Sequence, residues 1–424
     1  MHAITVTPKP LTKACWIWPE GHVWDIHNCY ALFRKEFDLV TIPKKAPLFI
    51  TADQSYRLWI NGAYICRGPA RGFQSHWPYD EVNVAAYLRK GRNIFAVRAY
   101  NPGMSNFQYI CQGYAGLLAG AKWGKVELVT DKSWRCVRDP AVIRDTVPTS
   151  KQLFPQEWYD ARKKIVDWKM ADFDDSAWEK ARTQLWNAPP WYAIEPRRIP
   201  MLAEKEMIPF AVVGEAFGNC APDYLVTRNV AQLRGAEEKA HEPSKNGRIP
   251  LVVQKTGKGY FRSYVLDFGR IVVGNLSLKV SGCQGEEIVD TLHVETINEK
   301  KCAPDIFYPG GSHASFGYRL ICRRGETQHT FHHYYGFRYL VITVRDSKSE
   351  LTVAPKLHWV GYPLERKGGL ITSEYDIAKI WEACAWTQQC CMTDAYIVSV
   401  AEGQKKLKDR LLVASLILFW MNKC

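Results

Sequence analysis

Apolar residues first recur at clear helical spacing only at Ser373. From residue 13 to about 365 they come instead in short runs cut by turn residues. A chain with no amphipathic helix over that length has to bury its side chains sheet against sheet, because each strand offers a face that a second layer must cover. Residues 46–52 are followed by 56–60, the dipeptide Asn61-Gly62, and residues 63–66. Asn-Gly between two such runs signals a hairpin, since both residues tolerate the positive φ of a type I′ turn. Residues 93–100 alternate, with Ile94, Ala96 and Arg98 opposed to Phe95, Val97 and Ala99. Both faces of that strand are open to burial, so neither is assigned. Residues 125–130 predict a further short strand, and 131–134 a turn.

Pro189, Pro190, Pro196, Pro200 and Pro209 fall close together. Proline lacks a ladder donor, so this stretch predicts a linker. A second β-rich region runs from about 205 to 365, with its clearest strands at 262–268, 275–280 and 287–292 and with Gly282 and Gly285 at the turn between the last two. Strands at 317–322, 327–331 and 337–344 continue a pattern that suggests a sandwich. Ser373-Glu-Tyr-Asp376 then offers an N-cap serine with an acid three positions on. Ile377, Ile380, Trp381, Cys384, Gln388 and Cys391 follow on a helical face. The chain therefore divides into residues 1–195 and 196–365, two antiparallel β-sandwich (jelly-roll-like) domains in a mainly β chain, and residues 366–424, where a helical part begins.

Aromatic residues make up 13% of the chain, with 16 Trp and 21 Tyr. They pack well on pleated surfaces. They also make flat platforms for sugar rings, whose axial C–H bonds form an apolar face. The formal charge is +13, but the cations are scattered in pairs such as Lys163-Lys164 and Arg323-Arg324. Dispersed charge reads as a solvated surface, so nucleic acid is not an expected partner; a mild positive field suits an anionic plant polysaccharide better. The 13 cysteines are odd in number, no Cys-x-x-Cys occurs, and residues 1–8 show no basic stretch ahead of an apolar one. Free thiols in a reducing cytoplasm are the expectation. The longest apolar run, 411–420, is about half the ~20 residues of a spanning helix, so no membrane partner is expected.

Four groups of residues carry a family resemblance. The first is Asp53-x-x-Tyr-Arg-Leu-Trp-Ile-Asn-Gly62, continuing through Cys66-Arg-Gly-Pro-Ala-Arg71, Tyr79-Asp-Glu81 and Leu88-Arg-Lys-Gly-Arg-Asn93 to the stretch Asp174–Trp178. The second is Leu266-Asp-Phe-Gly-Arg270 with Val273-Gly274, Gly285 and Glu295, and the third is His333-Tyr-Tyr-Gly-Phe-Arg-Tyr339. The fourth is the Ser373 helix leading to Cys391-Met-Thr-Asp-Ala-Tyr-Ile397. In this order they resemble the bacterial α-L-rhamnosidases of glycoside hydrolase family 78: a galactose-binding-like sandwich, a second sandwich, and the first helix of an (α/α)6 barrel. The resemblance implies hydrolysis of terminal α-L-rhamnosides in plant glycosides or rhamnogalacturonan-type oligosaccharides, with inversion and without a cofactor.

The resemblance also implies an Asp-x-Pro-x-Arg-Glu segment next, whose glutamate is the general acid. Here Val398-Ser-Val-Ala-Glu-Gly403 stands in its place, leaving Glu402 as the candidate acid, one position early. The family's base comes from far downstream. Inverting hydrolysis needs two carboxyl groups roughly 6.5–9.5 Å apart, so this chain is expected to be a truncated, catalytically incomplete relative of the hydrolases. The alternative is a non-catalytic carbohydrate-binding or scaffold protein. Loss of the motif within a few residues suggests an out-of-frame tail, which the other two reading frames of the gene would test.

Candidate carbohydrate-binding residues are Asp53, Arg57, Trp59, Asn61, Arg71, His76 and Trp77. Trp59 would be a platform and the polar groups would meet hydroxyls. The structural alternative makes Trp59 core, Asn61 a turn residue, and Asp53 a partner of Arg57. The loop 67–77, with Arg67, Arg71, His76 and Trp77, is a ligand edge or a brace against the helical part. His329, His332 and His333 have no accompanying carboxylate motif, so no metal site is assigned. The apolar stripe of the Ser373 helix, with 411–420, predicts self-association.

Overall fold

The computed structural model describes residues 7–22, 24–106, 109–149, 153–220, 247–298 and 316–396, with residues 242–243 and 302–304 as short separate pieces. It divides into two compact units: Met1–Asp145, Gln152–Pro155 and Lys163–Ile199 form the first, and Thr146–Lys151, Gln156–Arg162 and Pro200–Cys424 the second. Residues 146–151 and 156–162, which the sequence groups with the first domain, thus belong to the second unit.

The first unit is a sandwich. One sheet orders the strands Arg182–Leu185, Cys15–Trp18, Gly116–Trp123, Pro47–Asp53, Trp77–Asn83 and Ile194–Pro196, with Val126–Val129 added beside Gly116–Trp123. The other orders Glu179–Lys180, Arg135–Arg138, Cys29–Leu39, Gly91–Asn101, Ser55–Ile60 and Ala63–Gly68. Side chains alternate along each strand, and both faces of each sheet are used. Ile17, Phe33, Ile50, Leu58, Phe95, Val97 and Ala99 lie in the core between the sheets. Their neighbours Trp16 and Leu118 join Trp77 and Trp191 on the outside of the first sheet. Ile94, Ala96 and Trp59 lie with Trp168 and Trp178 on the outside of the second. The strand with two coverable faces is covered on both.

The Asn61-Gly62 hairpin forms as its sequence predicts. Asn61 has φ +50° and Gly62 φ +85°, and Trp59–Tyr64 and Ile60–Ala63 pair across it. The proline-rich stretch is not all linker. Ile194–Pro196 pairs in parallel with Trp77–Tyr79 at the sheet edge, and Ala203–Met207 pairs with the strand Leu351–Gly361. An edge position tolerates a missing donor, which removes the objection to proline there.

In the second unit, the two strands predicted at 262–268 and 275–280 are one strand, Tyr260–Cys283. A register irregularity between Asp267 and Val272 bends it. Before the bulge it pairs with Ala211–Asn219 and Tyr335–Arg345. Beyond Gly274 it pairs with Leu351–Gly361 and Gly325–Thr330. At Gly274 an added Cβ would lie 2.3 Å from the His358 carbonyl oxygen, so the strands can approach this closely only with glycine there. Ile288–Val294, Gly317–Ile321 and the parallel strand Trp158–Asp160 complete the Tyr335–Arg345 side.

The predicted helix is Tyr375–Cys391. Its N-cap is Glu374 rather than Ser373, and no side-chain cap bond forms; Thr372 Oγ1 instead accepts the Glu374 N–H at 3.1 Å. The helix docks on the long strand. Trp386 Nε1 donates to the Ile271 carbonyl at 2.6 Å, and the Arg270 guanidinium lies 3.5 Å from the Trp386 ring centroid. Among the described residues no helix is long and apolar enough to cross a membrane.

Candidate functional site

Asp53 ends the strand Pro47–Asp53, and its carboxyl is fully buried. Its partner is not Arg57. Tyr109 Oη donates to Oδ1 at 2.6 Å and Trp191 Nε1 to Oδ2 at 2.8 Å, with the Gln74 amide also bonded. Burial pushes the carboxyl up to about 7, against those three hydrogen bonds, which favour the charged form. The same burial, with the negative charge of Asp53 beside it, raises the Tyr109 phenol. Trp191 stacks on Trp16 at a centroid distance of 4.1 Å. Trp77 is buried here as well, donating from Nε1 to the Ala52 carbonyl at 3.3 Å, with its ring edge-on to Tyr109. Asp53 therefore anchors an aromatic layer on the outer face of the first sheet.

The other candidates divide between architecture and surface. Asn61 serves its turn: its Oδ1 accepts the Ile94 N–H at 3.0 Å and its Nδ2 donates to the Tyr87 carbonyl at 2.9 Å. Trp59 is covered by Trp168 and by Lys169, whose Nζ lies 3.8 Å from the ring centroid. Burial, reinforced by Lys164, Arg98 and Arg57, pushes that ammonium down to about 7. Arg57 is buried and faces Arg67 and Arg98 across its neighbouring strands. Arg71 and His76 stay on the loop surface, half-buried and exposed, with His76 Nδ1 3.1 Å from Ser75 Oγ. Phe73, on the same loop, is 72% exposed. Asp53 and Trp77 thus come together in one layer, Arg71 and His76 share the loop beside it, and Arg57, Trp59 and Asn61 belong to the other sheet. Glu402 lies outside the described residues.

The sequence reading missed Tyr109, Gln74, Trp191 and Trp16, which complete the Asp53 layer. It also passed over a groove in the same unit. Trp16, Ile17, Trp18, Trp24, Tyr114, Ala115, Arg182, Thr183 and Gln184 line a space of about 260 Å³. The run Trp16-Ile-Trp18 beside Trp24 was the available signal, since three tryptophans within nine positions exceed what one strand face needs.

In the second unit the polar groups are paired with one another. Asp290 receives Arg319 at 2.7 Å and Arg345 at 2.8 Å, and these guanidiniums hold its carboxyl below the usual range although burial acts the other way. Glu157 accepts from His329 Nε2 at 3.0 Å and from the His332 backbone N–H at 2.5 Å, while Tyr159 stacks on the His329 ring. His293 is buried among aromatic rings, which pushes its imidazole down to about 3 and keeps it neutral. Asp267 pairs with Arg338, and Glu287 accepts backbone N–H groups of residues 284–286. Among the described residues no group of three or more His, Cys, Asp or Glu side chains is placed to hold a metal ion.

These two units match known proteins in order. The family model of the α-L-rhamnosidase N-terminal domain matches residues 41–200, and that of the bacterial α-L-rhamnosidase concanavalin-like domain matches residues 259–358. An α-L-rhamnosidase of Streptomyces avermitilis is 28% identical over 199 residues, covering 45% of this chain and 17% of that enzyme. The crystal structure of a family 78 rhamnosidase from Bacillus sp. GL1 superposes with a TM-score of 0.79 at 20% identity, over 92% of this chain and 59% of that one. The Streptomyces avermitilis enzyme complexed with L-rhamnose superposes with a TM-score of 0.62 at 20% identity, over 89% of this chain and 33% of that one. The chain spans less than a quarter of the length of the curated relatives it matches. Two successive domains of one family, in the family's order and fold, place this chain among the bacterial α-L-rhamnosidases of glycoside hydrolase family 78.

Proposed function

We propose that this chain is the sugar-handling, β-sandwich part of an α-L-rhamnosidase, acting on terminal α-L-rhamnosides, and that it does not by itself turn over substrate. One observation carries the second half of that reading. Every buried carboxyl among the described residues is engaged by arginine or by N–H and O–H donors inside a sheet layer: Asp53, Asp80, Asp139, Glu157, Asp160, Asp267, Glu287 and Asp290. An inverting hydrolase needs one carboxyl protonated toward the leaving oxygen and another charged toward water, both facing one sugar. Carboxyls spent on structural partners supply neither role.

The test is an aryl α-L-rhamnoside assay on the 424-residue chain, beside a titration with L-rhamnose by calorimetry. The expected result is heat of binding without release of the aryl group. Release at an enzymatic rate would overturn the reading. The twelve cysteines of the described residues that stand as thiols support a reducing, cytoplasmic setting. Thiol titration of freshly isolated protein should find them reduced, and oxidised pairs would count against that setting.

A further inference from the structure

We infer that the aromatic groove on the first sandwich, which shares Trp16 with the Asp53 layer and lies apart from the loop 67–77, is a binding site for one neutral pyranose ring. The inference rests on the sugar-handling reading above, and assigns it a place.

The groove is built at a sheet edge. Arg182–Leu185 is the last strand of its sheet and pairs with Cys15–Trp18, setting Arg182 opposite Trp18 and Thr183 opposite Ile17. An edge strand leaves backbone N–H and C=O groups facing outward, which sugar hydroxyls can meet. The floor is rigid. Trp16 donates from Nε1 to the Trp186 carbonyl at 2.9 Å and stacks on Trp191, which the Asp53 carboxylate holds. A fixed floor loses little freedom when a ligand arrives.

One further observation points to a ligand. Trp24 is 82% exposed, yet it flanks the groove with the Arg182 guanidinium 5.8 Å from its ring centroid. An indole presented to water beside a fixed cation is a platform without a load. Trp18 lines the same groove from the core between the sheets, where it packs on Phe33.

The chemistry of these walls selects the occupant. The exposed Trp24 ring matches the axial C–H face of a pyranose, and Arg182 and Thr183 provide hydroxyl partners at the rim. The volume of about 260 Å³ lies just under the roughly 300 Å³ where sites for drug-sized ligands begin, which suits a single ring rather than an extended oligosaccharide. Arg182 already has Glu20 Oε1 at 3.5 Å, so its charge is partly met and an acidic sugar is not required.

The experiment uses the full chain with methyl α-L-rhamnoside, read by calorimetry and by tryptophan fluorescence. Trp24→Ala and Arg182→Ala should each weaken binding at least tenfold, and His76→Ala on the loop 67–77 should leave it unchanged. All three positions are exposed, so the variants should keep the wild-type melting temperature. Unchanged binding by Trp24→Ala, loss of binding by His76→Ala instead, or no binding by the wild-type chain would each overturn the assignment. Release of aryl rhamnoside by the chain would sink the proposed function and leave this one standing, because occupancy of the groove is read without turnover.

Discussion

Asp53 shows what a single carboxyl does when its partners are neutral. Its folded pKa is raised to about 7, above the ~3.9 of an unfolded aspartate. The folded state therefore holds a proton that the unfolded state has released between about pH 4 and 7. The Asp53 contribution to stability should fall as pH rises through that window, by at most about 1.4 kcal/mol per pH unit, and level off above it. Thermal unfolding of the wild type and of Asp53→Asn, followed from pH 5 to 8, checks this: the difference between the two should carry that dependence, while His293 and Lys169 contribute equally to both. Asp290 is the opposite case, since two guanidiniums hold it ionised. Asp290→Asn would leave Arg319 and Arg345 buried without their counter-charge, so denaturant unfolding should show a loss of about 3–5 kcal/mol. Gly68 is a third such position. A Cβ there would meet Asp80 Oδ2 at 1.9 Å and the Tyr56 ring at 2.8 Å, so Gly68→Ala should break the Tyr56–Asp80 contact and lower the melting temperature. The sequence picked out Asp53 but not its partners. Tyr109 lies 56 residues away and Trp191 lies 138 away, and no local period links such positions.

At the scale of elements, local signals worked where a local cause decided. Asn61-Gly62 forms its turn because the φ preference belongs to those two residues. The alternation along Gly91–Asn101 was legible, but its double covering depended on Trp168 and Trp178 arriving from another part of the chain. The predicted break between 268 and 275 was misplaced because glycines and an uneven register mark a bulge as readily as a turn. The helix Tyr375–Cys391 began a residue later than its apparent cap, since the Thr372 hydroxyl took the Glu374 N–H first. Its attachment rests largely on Trp386. Trp386→Ala removes a hydrogen bond and a cation–π contact, worth together roughly 2 kcal/mol. Amide exchange in 375–391 should accelerate in that variant while the sheet amides keep their protection. Ile380, at 62% exposed, lies on the side of the helix turned to solvent, and we propose that this side supports self-association. Sedimentation of wild type against Ile380→Glu checks it, with the variant expected to shift toward monomer.

For the molecule as a whole, the family resemblance read from four short motifs and the two family models agree on the family. What stayed hidden is the groove, whose walls come from residues 16–24 and 182–184 and meet only because the edge strand Arg182–Leu185 folds back beside Cys15–Trp18. The strand Tyr260–Cys283 has a consequence of its own. Both halves of the second unit draw their hydrogen-bond partners from this one continuous stretch of backbone, so neither half can melt and leave the other intact. The amides of 261–267 and 274–281 should therefore exchange in one kinetic class, with a common opening free energy. A protease that nicks the backbone near Val272 should release the whole unit at once, much as drawing a single thread undoes a seam from both sides.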